Sequence, residues 1–511
     1  MNPSANNLIS VVSTQSVGGQ ELLSAPYRAR VRVAQTAWAA VPLSARLKVI
    51  RSFRHLLAEQ PEHVANSANL LQSRPISEIL ASEILPLTEA ARFLEREAES
   101  VLASRRVGFR GRPLWLGGVK SEIHREAFGL VLIIAPSNYA IFLPGVQILQ
   151  ALVAGNAVWL KPGPDGAAAA LELARLLGAA GLPEDLLQVL PESADAAQAA
   201  IAAGVDKVSF TGSARIGKKI LAQLAPHAVP ATMELSGCDA VIVRADADLD
   251  LTIRALTFGL RLNGGQTCIA PRRVFVARSV ATEFEGRLTR ALVNCPTAGF
   301  VPAQQRQLAP LLLEAVTNGA HLLAGKLIAD AGFNGPLALA GVSLDSPLLS
   351  ADIFGPLLLV LTVGDDDEAV RLANNNPHAL GATIFTRDET AALALAKRIE
   401  AGVVLINDLI APTADARLPF GGRKLSGFGV TRGREGLLEM TTQKIVTLHR
   451  GSFRPHFDKP APGHEKLFVA FLRASHGAGW RNRITAMIQV CRTALRLKRE
   501  SSHTSKTTDQ A

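Results

Sequence analysis

The chain has 511 residues, 48% of them hydrophobic and 19% charged, and a formal net charge of +10 at pH 7. Its length exceeds what one hydrophobic core serves, so two large domains are expected. Its four cysteines, Cys238, Cys268, Cys295 and Cys491, exclude a disulfide framework at this size, and a reactive thiol among them would need a reducing, cytoplasmic setting. Residues 451–511 carry eleven Lys and Arg against four acidic residues, leaving +3 for the first 450 residues; no nucleic-acid surface is expected on the body.

Met1 to Gln20 lacks the basic start and apolar stretch of a secretory signal, so no export is expected. From Tyr27 to Arg105 apolar residues recur at helical spacing, with Leu43, Leu47, Val49, Ile50, Phe53 and Leu56 on one stripe. Leu130–Ile134 and Ala157–Leu160 then read as fully buried strands, with a helix over Pro144–Ala154 between them and another over Ala167–Leu177 after them. The stretch from Phe128 to Leu160 cannot cross a membrane as one helix, because Pro136, Asn138, Pro144, Gly145 and Asn156 interrupt it. Leu187–Leu190 and Lys207–Phe210 continue the alternation of strands and helices that implies a parallel sheet.

The second of these strands runs into Thr211-Gly212-Ser213 and a helix from Ala214 to Leu221. Backbone N–H groups at such a helix start suit a phosphate, although glycine after a strand is also ordinary turn chemistry. Beyond Cys268, strands are expected at Val274–Val276, Leu357–Leu361 and Val403–Asn407, with a helix over Ala391–Ile399. Pro455 to Gly463 reads as a linker to the basic tail.

The chemistry centres on Cys268, within Asn263-Gly264-Gly265-Gln266-Thr267-Cys268-Ile269-Ala270-Pro271, and on Glu234, within Met233-Glu234-Leu235-Ser236-Gly237. A thiol among small residues and a carboxylate in a short apolar strand are the parts of a covalent, water-activated reaction. Taken singly, each is more often a buried small hydrophobe and a strand end.

Five further segments stand in order with these two. They are Ala135-Pro136-Ser137-Asn138-Tyr139, Trp159-Leu160-Lys161-Pro162, Phe210-Thr211-Gly212-Ser213 with Gly217, Ile353-Phe354-Gly355-Pro356, and Pro419-Phe420-Gly421-Gly422-Arg423-Lys424 with Ser426-Gly427-Phe428-Gly429. From about Pro26 to about His449 the chain resembles the aldehyde dehydrogenase superfamily. The resemblance implies an α/β fold: a Rossmann-type dinucleotide-binding domain (1–107 and 126–236), an α/β catalytic domain (237–415), and a small oligomerisation element (108–125 and 416–450), followed by a basic amphipathic tail (451–511).

It implies Cys268 as nucleophile, Glu234 as the base for deacylation, and Asn138 with the Cys268 N–H as the oxyanion site, where Asn138 alone would read as an Asx-turn residue. It also implies NAD or NADP as cofactor, with Lys161 at the adenosine ribose, Thr211, Gly212, Ser213 and Gly217 along the pyrophosphate, and Asp352 and Phe354 at the nicotinamide end. No metal ligands are implied. Partners would be a small-molecule aldehyde and further copies of the chain in a dimer or tetramer.

Departures from the family pattern gather around the cofactor. Pro164 replaces a glutamate that would contact the ribose 2′-hydroxyl, which makes NADP admissible beside NAD. Asp352 stands for a glutamate, Ser236-Gly237-Cys238 for Gly-Gly-Lys, and Ser137 for a tryptophan. Tyr139, Phe142, Ile269, Leu409 and Ile410 fall at funnel-lining positions and suggest an uncharged, long-chain or aromatic aldehyde.

Two other readings stand beside this one. A catalytically impaired scaffold would follow from the altered cofactor positions, and Glu234 argues against acyl transfer to coenzyme A. In the tail, Ile484, Met487, Ile488, Cys491 and Leu495 recur at helical spacing beside Arg481, Arg483, Arg492, Arg496, Lys498 and Arg499. This pattern suits either peripheral contact with an anionic membrane or packing on protein.

Overall fold

Apolar runs with no alternating polar positions belong to strands covered on both faces, and the computed structural model, which describes residues 24–68, 74–116, 118–293, 295, 299–328, 332–452, 454–457 and 462–508, places them so. Leu130–Ile134 and Ala157–Lys161 are buried at every position and lie parallel, with Leu130 opposite Ala157 and Ile134 opposite Lys161. They belong to a six-stranded sheet in the order Gly427–Phe428, Ala231–Leu235, Lys207–Gly212, Leu130–Ile134, Ala157–Lys161, Leu187–Val189.

Parallel neighbours need crossovers, and the helices Phe142–Ala154, Ala167–Ala179, Ala194–Ala203 and Ala214–Leu224 supply them. Phe142–Ala154 is buried along nearly its whole length and stops at Gly155, whose φ of 97° suits the left-handed cap. The predicted N-terminal helices are Ala25–Ala40, Leu43–Glu59, Pro61–Ser67 and Leu85–Leu102. Ile50, Phe53 and Leu57 are fully buried in the same core, and Leu43, Leu47, Val49 and Leu56 pack half-buried against it.

A second sheet has seven strands in the order His321–Ile328, Gly332–Ala340, Leu357–Val363, Pro271–Ala277, Asp239–Val243, Gly381–Phe385, Val403–Ile406. The helix expected over Ala391–Ile399 runs instead from Glu389 to Ala396, because Asp388 accepts from the Ala391 N–H and so caps it earlier. Only Ser236 to Cys238 separate Ala231–Leu235 of the first sheet from Asp239–Val243 of the second. Glu234 and Asp239 therefore sit where the chain passes from one sheet to the other.

A third sheet has the order Arg105–Val107, Val119–Ala127, Thr441–His449, and the last of these strands is exposed along most of its length. Residues 108–121 and 447–511 form a separate unit. In it the tail folds as two helices, His464–His476 and Trp480–Thr508, with Ala470, Ala474 and Ala486 buried and Trp115 edge-on to Phe471 at 5.6 Å. Of the expected linker, Pro455–Phe457 is a short turn of 3-10 helix, and 458–461 lie outside the described residues. Among the described residues no helix is long and apolar enough to cross a membrane.

Candidate active site

The ends of the two parallel sheets and the loops beyond them line a cavity of about 1920 Å³. Asn138, Lys161, Thr211, Gly212, Ser213, Glu234, Cys268, Asp352 and Phe354 all line it, although they are spread over more than two hundred positions of sequence. Gly217 does not; it lies one turn inside Ala214–Leu224, where a side chain would strike Leu235, so it serves close helix-to-strand packing. Of the expected funnel residues, Tyr139, Phe142, Ile269 and Ile410 line the cavity. Leu409 is a correction: it is buried in the core of the second sheet, turned towards Gly259 of the helix Leu249–Arg261.

Cys268 follows a turn in which Asn263, Gly264 and Gly265 all have left-handed backbone, with φ of 50°, 59° and 73°. Gly265 is required there, because a Cβ would lie 2.8 Å from the Gly355 carbonyl carbon. The buried Arg272 guanidinium ties the turn down by donating to the Gly265 and Gly355 carbonyls, and burial brings its pKa down to about 10. Burial, then the charges of Glu234 and Asp239, push the Cys268 thiol up to about 12, while Arg432 and the Ile269 N–H oppose them. Among the described residues the Cys268 backbone N–H has no protein acceptor.

Asn138 is buried, and its amide donates to the Gln266 carbonyl at 2.8 Å, leaving its second N–H unspent. Its own carbonyl accepts from Asn263 Nδ2 at 2.7 Å and from Arg74 at 3.4 Å. Arg74 in turn donates to Glu83 at 2.7 Å, and Glu83, fully buried, accepts from the Ile141 and Phe142 N–H groups at the start of the helix Phe142–Ala154. Glu83 lies in a π-turn, Leu80–Ile84, the kind of helix irregularity that re-aims a side chain at a site.

Glu234 is buried near the end of its strand. Thr211 Oγ1 donates to its Oε2 at 3.1 Å and Thr431 Oγ1 donates to its Oε1, while Gln147 donates to Thr211 at 3.3 Å. Burial raises the Glu234 carboxyl above the usual range, opposed by the Arg432 charge and by the two hydroxyls. A base with a raised pKa is suited to taking a proton from water near neutral pH.

Sequence reasoning missed this surrounding set: Thr431, Arg432, Gln147, Arg74, Glu83 and Asp239. Asp239 is raised to about 7, chiefly by burial, and accepts from the Gly381 N–H at 3.1 Å. The one visible signal was Thr431-Arg432 itself, two polar residues between Gly429 and Gly433 just beyond the Pro419–Gly429 motif.

At the other end of the cavity Lys161 is buried at the last position of its strand. Burial lowers its pKa, and its ammonium has no hydrogen-bond acceptor among the described residues. Ser213 caps the helix Ala214–Leu224 by accepting from the Ile216 N–H, so that helix start opens on the cavity. Asp352 accepts from Ser236 Oγ at 2.8 Å, and the Phe354 N–H donates to Gln304 at 2.9 Å. A cation with donors unspent, lining the same cavity as an open helix N-terminus, fits a ligand that carries phosphates and hydroxyls.

Two mostly parallel sheets meeting along one cavity, which a thiol, a carboxylate, an amide, a lysine and an open helix start all line, fit a dinucleotide-dependent oxidoreductase. The chain belongs to the aldehyde dehydrogenase family, whose model matches residues 2–446, and is an NAD(P)-dependent aldehyde dehydrogenase by class. It is 30% identical over 458 residues to the 4,4'-diapolycopene aldehyde oxidase of Methylomonas sp, covering 87% of this chain and 86% of that one. It is 31% identical over 454 residues to a putative NADP(+) succinate-semialdehyde dehydrogenase of Mycolicibacterium smegmatis, covering 86% and 87%. The structure of a Mycobacterium tuberculosis aldehyde dehydrogenase complexed with NAD+ matches with a TM-score of 0.77 at 26% identity, covering 84% of this chain and 90% of that one.

Proposed function

We propose that the protein oxidises an apolar aldehyde, long-chain or aromatic, to the free carboxylic acid through a thioester on Cys268. The observation that carries this is the convergence of Cys268, Glu234 and Asn138 on one cavity whose reacting end is walled by Tyr139, Phe142, Ile269, Ile410 and Phe420. In this reading the Cys268 sulfur adds to the aldehyde carbon, and the former carbonyl oxygen takes its negative charge to the Cys268 N–H and the unspent Asn138 N–H. The dinucleotide, when bound, supplies the acceptor for the hydride. Water then adds to the thioester carbon, Glu234 takes its proton, and the C–S bond breaks to release the acid and return the thiol. Overall, aldehyde, water and oxidised dinucleotide become acid, reduced dinucleotide and a proton.

Lys161 and the start of Ala214–Leu224, with Thr211, Gly212 and Ser213, would hold the ribose and phosphates, and Asp352 and Phe354 would border the nicotinamide end. Pro164 leaves no carboxylate at its position beside Lys161, which supports NADP as well as NAD. The two sheets support the dinucleotide-binding (126–236) and catalytic (237–415) divisions of this reading, with Gly427–Phe428 added to the first sheet from the 416–450 segment.

A homo-oligomer is supported by Thr441–His449, an edge strand exposing Ile445, Val446 and Leu448 that a second copy could extend. Membrane contact from the cytoplasmic side is supported by the tail, where Phe468, Leu472, Ile484, Met487, Ile488 and Leu495 are exposed among basic residues. Sedimentation of the full chain with anionic vesicles at low salt, lost when 456–511 are removed, tests that contact.

The oxidation is tested by following reduced dinucleotide with decanal and either NAD or NADP, with and without coenzyme A. Formation of decanoic acid with no gain in rate from coenzyme A is expected. A strict requirement for coenzyme A, or no turnover with any aldehyde, would overturn the reading.

A further inference from the structure

Arg432 is a buried arginine on the wall of the same cavity, and the oxidation reading above gives it no task. It is firmly placed. Its guanidinium lies 4.2 Å from the Phe420 ring centre and 5.3 Å from that of Phe142, and its Nη1 donates to the Thr413 carbonyl. Its backbone is left-handed, with φ of 61°, at the start of the short helix Gly433–Leu438. The residue before it, Thr431, donates to Glu234, so one dipeptide brings both a hydroxyl and a charge to the carboxylate end of the cavity.

The guanidinium is not used up by structural bonds. Its Nε is buried with no hydrogen-bond partner, and its Nη2 has no acceptor among the described residues. Burying a cation with unspent donors is costly. The charges around it make sense of the cost. Glu234 faces the cavity from the strand Ala231–Leu235 and Cys268 from the loop before Pro271–Ala277, while Asp239, buried on the strand beyond Glu234, adds its charge at Cys268 without lining the cavity. Arg272 lies behind the nucleophile turn, and the Tyr139 hydroxyl, bonded to Thr267 at 2.6 Å, stands beside it with Arg74 and Glu83 behind. A thiolate and a carboxylate in one water-poor site each raise the cost of ionising the other.

We propose that Arg432 is the counter-charge of the acyl-transfer centre, a positioning residue whose fixed guanidinium keeps Glu234 ionised and makes the Cys268 thiolate accessible. This rests on the roles given to Cys268 and Glu234 above. It accounts for why the cation is mounted on two aromatic faces rather than in an ion pair: a close pair with Glu234 would hold the base away from water.

The test compares R432Q and R432K with the unchanged enzyme. Alkylation of Cys268 by iodoacetamide is followed across pH without dinucleotide, on the Cys268 peptide by mass spectrometry, because exposed Cys491 also reacts. The pH profile of kcat for decanal is measured alongside. In R432Q the alkylation curve and the acid limb of kcat both move up by about one pH unit or more, kcat falls roughly ten- to hundredfold, and KM stays within about threefold; R432K restores both curves. If R432Q does not fold, R432M keeps the stem on Phe420 and Phe142 and takes its place.

Curves that superimpose on those of the unchanged enzyme, or an R432K shift as large as that of R432Q, overturn the proposal. So does a loss confined to KM for aldehydes bearing a carboxylate, which would make Arg432 a substrate-binding group. Alkylation needs neither aldehyde nor dinucleotide, so an unchanged enzyme that never acylates Cys268 counts against the oxidation reading and leaves the Arg432 result legible.

Discussion

The two ends of the cavity are built on opposite rules. At the end that holds Cys268 the polar groups are already held by protein: Glu234 by Thr211 and Thr431, Asn138 by Gln266, Asn263 and Arg74, Tyr139 by Thr267. At the end proposed for the dinucleotide, Lys161 has no acceptor among the described residues and the helix start at Ser213 opens on the cavity. Groups that must meet a transition state need geometry fixed beforehand, whereas groups that bind a ligand must keep donors free for it.

That contrast would break most visibly at the nucleophile. Cys268→Ala should lower steady-state oxidation at least a thousandfold, on the order of 4 kcal/mol of barrier, while both dinucleotides bind within about twofold of the unchanged enzyme. Activity at a tenth of the original or more would remove Cys268 from the chemistry. The mirror experiment is Lys161→Ala, which should weaken dinucleotide binding by calorimetry roughly tenfold, with NADP suffering more than NAD, and leave kcat at saturating dinucleotide nearly unchanged. An equal loss in kcat would blur the division between the two ends.

Thr431→Val keeps the side-chain shape and removes one of the two hydroxyls on Glu234. A fall of about three- to tenfold in the deacylation rate is expected, near 1 kcal/mol, with the pre-steady-state burst of reduced dinucleotide intact. A slowed burst would place Thr431 in the first half-reaction instead.

The smallest effect concerns Asp239. Its folded pKa, about 7, lies above the unfolded value of about 3.9, so its contribution to stability is fully present below pH 4 and is lost as pH rises through 7. Asp239→Asn retains an oxygen for the Gly381 N–H but does not ionise. The drop in melting temperature between pH 5 and pH 8 should shrink by a few degrees in this variant. An unchanged drop would mean that Asp239 ionises freely where it lies.

Much of this was legible in the chain itself. Leu130–Ile134 has the observed strand's bounds, because an unbroken run of branched apolar residues ending at Ala-Pro has few alternatives. Cys268, Glu234 and Asn138 stood out through ordered motifs, and all three line one cavity. What stayed hidden was whatever depended on distant pairing. Thr431 lies 197 positions from the carboxylate it holds, and Glu83 lies 58 from the Ile141 N–H group it accepts from. In sequence Glu83 is one more acidic residue in a helical stretch, and nothing local says that it is fully buried. Leu409 failed for the converse reason: its position matched the funnel, but a strand end can turn a side chain into either sheet face, and Gly259 leaves room for it in the core.

The central claim is that the oxidised substrate passes through a thioester on Cys268 that Glu234 opens to water. The most direct measurement mixes Glu234→Gln with decanal and NAD or NADP, quenches within the first turnovers, and weighs the peptide that carries Cys268. An amide cannot take the proton from water, so the thioester should accumulate. The account predicts a decanoyl mass on Cys268 in near-stoichiometric amount, matching a burst of reduced dinucleotide. An unmodified Cys268 peptide alongside that same burst would contradict it.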